Sequence, residues 1–88
     1  MIKENRFLGY REQLNGIDSQ LLFLLEKRFG FCKKIGVYKK QNNLPIEDME
    51  REKQIIERLS KKTKLSREFI KDLFNLIFKE SKKVQNEN

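Results

Sequence analysis

FLGYREQLNGIDSQLLFLLEKRFGFCKKIGVYKKQ, residues 7–41, is the stretch that decides the fold. Its apolar positions Phe7, Tyr10, Leu14, Ile17, Leu21 and Leu24 recur at a three-four spacing, which marks one face of a helix. The register continues through Phe31, Ile35 and Tyr38, and no proline intervenes before Pro45. The pattern predicts a first helix from about Asn5 to Gln41. Gly9, Gly16, Gly30 and Gly36 each oppose it by roughly 1 kcal/mol, so packing is expected to compensate.

That length has a consequence for the whole molecule. At about 1.5 Å per residue the helix runs roughly 55 Å, whereas a compact domain of this size has a radius of gyration near ~12 Å. One chain cannot cover such a helix. A second copy is the simplest source of covering surface, because two-fold dimers are the commonest soluble oligomers.

Outward from the helix, Asn42-Asn43-Leu44-Pro45 reads as a loop, and Asp48 can cap a second helix bearing Ile55, Ile56 and Leu59. This helix is expected to end near Lys62. Ser66 then caps a third helix carrying Phe69, Ile70, Leu73, Phe74 and Ile77, with Glu68 in its first turn where the helix dipole favours a negative charge. The tail Asn86-Glu87-Asn88 is expected to fray. The fold class is therefore all-α: a single domain over residues 1–88 with three helices per chain, the first very long, in an intertwined homodimer. There is no internal repeat, no low-complexity linker and no glycine-rich phosphate loop.

Composition narrows the chemistry. The chain has 88 residues, enough for only a modest core without a supplement. Cys32 is its single cysteine, so no internal disulfide can supply one, and with no histidine there is no conventional zinc site. Neither metal nor cofactor is expected. No segment approaches the roughly 20 apolar residues that span a bilayer, and Met1 to Asn5 lacks a signal peptide's apolar run, so a cytoplasmic location is expected. Twenty Lys+Arg against 13 Asp+Glu give a net charge of +7, which favours an anionic partner, from a small carboxylate to a nucleic acid. Much of the excess, at Lys61, Lys62, Lys64, Lys82 and Lys83, reads as solvated surface.

The informative feature is where each apolar seam turns polar. After Leu24 the first helix places Arg28 on its seam, and Lys39 follows three turns later, rotated by only about 20°. Their α-carbons lie about 16 Å apart, so two long side chains can close on a small anion. On the second helix Asp48 and Glu52 are in register with Ile55, Ile56 and Leu59, with Arg51 alongside. On the third, Ser81 and Gln85 extend the apolar stripe. Taken singly, each has a plainer explanation: Arg28 and Lys39 snorkel, Asp48 caps, Glu52 pairs with Arg51 or a lysine, and Ser81 and Gln85 mark the helix leaving the core. Taken together they require a coincidence on three helices. Buried polar groups cost several kcal/mol unless paired, so their convergence calls for a ligand, mutual pairing or water.

These residues carry a resemblance. Arg11, then Ile17-Asp18, Leu21 to Arg28, Ile35 to Lys39, Leu44 to Glu52 and Ser81 to Gln85, in this order and spacing, resemble the all-helical class of chorismate mutases over nearly the whole chain. The resemblance implies a homodimeric enzyme with two active sites that converts chorismate, a small dianion, to prephenate on the way to phenylalanine and tyrosine. It implies that Arg11, Arg28 and Arg51 hold the two carboxylates with help from Lys39 and Ser81. Lys39 and Gln85 address the ether oxygen, and Glu52 with the Asp48 region meets the ring hydroxyl. Arg11 comes from the other subunit. Along a continuous helix Arg11 is about 25 Å from Arg28 and about 42 Å from Lys39, too far to meet the same small molecule from one chain.

The nearest rival is isochorismate-pyruvate lyase on the same scaffold, against which the presence of both Asp48 and Glu52 counts. A basic dimer binding nucleic acid through Lys61, Lys62, Lys64 and Arg67, and a purely structural helical module, are the readings from other classes. The first leaves the polar seam ends unexplained and lacks a groove-reading motif. An 88-residue chain is expected to have no room for a fused dehydratase, dehydrogenase or regulatory domain.

Overall fold

The fold follows from how three helices begin and end. The structure, a computed structural model, describes residues 2–87. Helices α1 (Ile2–Gln41), α2 (Met49–Ser60) and α3 (Arg67–Asn86) account for the architecture, with no strand among the described residues. Helix α1 starts a turn earlier than its apolar pattern indicates and runs through all four glycines. A β-carbon at Gly9, Gly16 or Gly30 would meet nothing within 4 Å, so packing within the chain does not offset their cost.

The end of α1 is built by Asn43, which takes a φ of 54°, the left-handed conformation that asparagine tolerates better than most side chains. Its N–H reaches back to the Lys40 carbonyl at 3.4 Å and that of Leu44 to the Lys39 carbonyl at 2.8 Å, the paired closure of a Schellman turn. Pro45 follows and prevents continuation. Helix α2 opens where expected: Asp48 Oδ1 accepts the Arg51 N–H at 3.0 Å. Helix α3 opens the same way, with Ser66 Oγ accepting the Phe69 N–H at 3.1 Å. The tail is more ordered than expected, since Asn86 still belongs to α3 and Glu87 caps it through Val84 O; Asn88 lies outside the described residues.

Helix α3 packs against both others. Ile70, Phe74 and Phe78 fall on its inward face, with the Phe74 and Phe78 rings 5.8 Å apart. The expected stripe is corrected at one end: Phe69 is 51% exposed, while Phe78, absent from that reading, is 4% exposed. The buried apolar set among the described residues is only Cys32, Ile55, Ile70 and Phe78. By contrast Phe7, Tyr10, Leu14, Ile17, Leu21 and Leu24 are each more than half exposed. The molecule is 62 Å along its longest axis with a radius of gyration of 17.4 Å, because the N-terminal half of α1 projects beyond the other helices. Among the described residues, no helix is long and apolar enough to cross a membrane.

Candidate active site

The C-terminal half of α1 presents Arg28, Cys32, Ile35 and Lys39 on successive turns, a spacing that aligns them on one side of the helix. They form one wall of a cavity of about 260 Å³. Ile46 and Asp48 close it from the α1–α2 segment, and Arg51, Glu52 and Ile55 from α2. Helix α3 contributes Phe78, Ser81, Lys82 and Gln85. Of the eight residues that the sequence singles out, Arg28, Lys39, Asp48, Arg51, Glu52, Ser81 and Gln85 border this one space. Arg11 does not. It lies exposed on the projecting half of α1, its guanidinium 4.5 Å from the Phe7 ring centre.

Arg28 is fixed from three directions. Its Nη1 donates to Ser81 Oγ at 2.6 Å and to Cys32 Sγ at 3.7 Å, and the guanidinium carbon stands 5.7 Å from the Phe78 ring centre. Ser81 in turn donates to the Ile77 carbonyl at 2.8 Å. This chain of contacts orients the guanidinium fork before any ligand arrives. Further along the same wall, the Lys39 ammonium donates to Ile46 O at 2.9 Å, a contact made possible by the turn at Asn43. One of its three N–H donors is thereby engaged.

Two buried polar residues stand out in a core this small: Ser81 at 5% exposure and Gln85 at 9%. Ser81 is satisfied. Gln85 is not, because its Oε1 is buried without a hydrogen-bond partner. Leaving such an atom unsatisfied costs about 1–3 kcal/mol, so a polar ligand in the cavity would relieve a standing deficit.

Asp48 keeps both places expected from the sequence, and Lys82 departs from its reading. Asp48 both caps α2 and borders the cavity, so the plain and the functional readings of it describe one side chain. Lys82, read from sequence as solvated surface, instead borders the cavity and bridges Glu52 at 3.3 Å and Glu47 at 3.4 Å. Partial burial works against its charge. Hydrogen bonding and attraction from Glu52 and then Glu47 together outweigh that burial, and the ammonium is held above the ordinary lysine value. Cys32 and Phe78 were also missed as wall residues. Cys32 lies four positions after Arg28 and Phe78 three before Ser81, so following each polar seam by one turn, forward from Arg28 and back from Ser81, would have found both.

The cavity walls thus carry four cations, Arg28, Lys39, Arg51 and Lys82, against two carboxylates, Asp48 and Glu52. The excess of two positive charges suits a small dianion, and arginine forks suit its carboxylates. Residues 10–86 match the family model described as chorismate mutase type II. The chain belongs to that family. Among its relatives it is 40% identical over 84 residues to the bifunctional chorismate mutase/prephenate dehydratase of Buchnera aphidicola subsp. Schizaphis graminum, covering 92% of this chain and 22% of that protein. It is 34% identical over 84 residues to the protein of the same name from Escherichia coli K12, with the same two shares covered. A 3-dehydroquinate dehydratase of Pyrobaculum aerophilum is 36% identical over 75 residues, covering 85% of this chain and 22% of the relative. The chain therefore spans about a fifth of the length of these relatives. As a type II chorismate mutase family member, it has the family's all-helical fold.

Proposed function

We propose that this chain is a chorismate mutase, acting as one domain over residues 1–88 and catalysing the rearrangement of chorismate to prephenate in phenylalanine and tyrosine biosynthesis. The observation that carries the reading is the cavity: its charge matches a dicarboxylate, and Gln85 offers it an unsatisfied amide. Family membership supplies the reaction. A doubly charged metabolite does not cross a bilayer unaided, so the enzyme belongs in the compartment that makes its substrate, which we take to be the cytoplasm.

The reaction is an intramolecular Claisen rearrangement, in which one carbon–oxygen bond breaks as one carbon–carbon bond forms and no atom is gained or lost. It needs no nucleophile and no obligatory proton transfer. What the protein contributes is restriction, holding the reacting ends about 3–3.5 Å apart, and electrostatic stabilisation of negative charge growing on the ether oxygen. In this scheme Arg28 and Arg51 take the carboxylates, with Ser81 locking the Arg28 fork. Lys39 and Gln85 donate to the ether oxygen. The amide group of Gln85 can turn so that its NH2 meets that oxygen, which also removes the unsatisfied Oε1 from its buried position. Glu52 and the Asp48 region receive the ring hydroxyl.

We further infer that the working unit is a homodimer in which Arg11 serves the partner's cavity. Two observations support this. Arg11 is remote from the cavity of its own chain, and the seam Phe7, Tyr10, Leu14, Ile17, Leu21 and Leu24 beside it is left in solvent. Covering that seam supplies the burial that the small core lacks, at roughly 25 cal/mol per Å² of apolar surface.

The test is direct: purified chain is incubated with chorismate, and its absorbance loss is followed together with prephenate formation. Conversion is expected without added cofactor. Release of pyruvate from isochorismate, with chorismate left unchanged, would replace the mutase reading with the lyase.

A further inference from the structure

Lys82 is the one cation of the cavity wall that the scheme above does not use. Its Nζ stands 3.3 Å from Glu52 Oε2 and 3.4 Å from Glu47 Oε1. The Lys82 and Glu52 side chains are 32% and 24% exposed, whereas Glu47 is 61% exposed. The inner ion pair is thus partly withdrawn from solvent, where attraction between charges is screened less than at an open surface. The outer one ties the segment entering α2 to α3.

Without Lys82, the Glu52 carboxylate would lose the ion pair that ties it to α3 and would be free to swing toward Arg28 and Arg51, competing for them with the ligand's carboxylates.

We propose that Lys82 is a positioning residue. Its ammonium pins the Glu52 carboxylate to the cavity wall and fastens the Glu47 segment across α3, so that the wall's arginines stay available to a doubly negative ligand. The proposal rests on the mutase reading. Lys82 itself touches no reacting atom; it acts through Glu52, which is placed to receive the ligand's hydroxyl.

A double-mutant cycle on the full chain separates this from a merely structural role. kcat and KM for chorismate are measured for wild type, Lys82→Met, Lys82→Arg, Glu52→Gln and the Lys82→Met/Glu52→Gln pair, with thermal melting recorded for each; Lys82→Gln replaces Lys82→Met if the latter does not fold. Lys82→Met is expected to lower kcat/KM about tenfold, with the same division between kcat and KM as Glu52→Gln. Lys82→Arg is expected to restore most of the loss. In the Glu52→Gln background, where no carboxylate remains at that position for the ammonium to hold, Lys82→Met is expected to change kcat/KM less than about twofold. An undiminished loss in that background would overturn the proposal, because Lys82 would then act on the ligand or the fold rather than through Glu52. Wild-type turnover with an unaffected Lys82→Met overturns it alone. Wild type that leaves chorismate unchanged removes the mutase reading and this proposal together.

Discussion

Lys39 and Gln85 border the same cavity with opposite needs. The ammonium already holds the Ile46 carbonyl, and the amide holds nothing through its oxygen. A ligand oxygen there would accept from the NH2 of the Gln85 amide once that group has turned, and from the remaining donors of the ammonium. On this account Lys39→Ala lowers kcat by about two orders of magnitude or more, the scale seen when a donor to a developing oxyanion is removed. Steady-state kinetics on folded protein checks it, and near-wild-type turnover would contradict the role. At this scale much was legible. Arg28, Lys39, Ser81 and Gln85 declare themselves because each is polar at a position where a helical seam predicts an apolar residue. Lys82 does not, since it precedes Lys83 in a lysine-rich stretch, and only the approach of Glu52 from another helix gives it a purpose. The contact between Arg28 and Cys32 was within reach, because residues four apart on one helix are neighbours.

The elements place these residues through their ends. The left-handed Asn43 stops α1 just beyond Lys39 and turns the chain so that Ile46 meets the Lys39 ammonium. Asn43→Gly is expected to be neutral or stabilising, because glycine adopts this conformation without penalty. Asn43→Val is expected to cost about 1–2 kcal/mol in chemical denaturation. A harmless valine would show that the turn is not what holds the segment. At the far end of α2, Glu57 accepts from Arg67 and ties α2 to the start of α3. The Arg67 hydrogen bond and then its charge hold the Glu57 carboxyl below its ordinary value of 4.5. Its stabilising contribution is therefore present above that value and lost as pH falls through the lowered one. Glu57→Gln is expected to melt slightly earlier than wild type at neutral pH in low salt, with the gap closing in acid; a gap that widened in acid would contradict this. The caps Asp48 and Ser66 were readable because their side chains sit just before an apolar periodic run. Phe78 in place of Phe69 was not, because both fit the three-four spacing and only contact with α1 decides which end of α3 lies inside.

For the whole molecule the governing fact is imbalance. A helix of 40 residues is packed along its C-terminal half only, and six apolar residues on its other half stay in solvent. The length of α1 was legible from periodicity alone, and the proposal of a second copy follows from that length. Family membership carries the fold, and the partner's contribution is tested by mixing two variants. Arg11→Ala and Arg28→Ala chains, each inactive alone, are mixed under conditions where subunits exchange, and exchange is verified by mass-tagged partners. If Arg11 completes the partner's cavity, half the dimers are mixed and each has one intact site, so activity returns to about a quarter of the wild-type level per chain. Complete exchange with no return of activity would contradict the shared cavity on which the account depends.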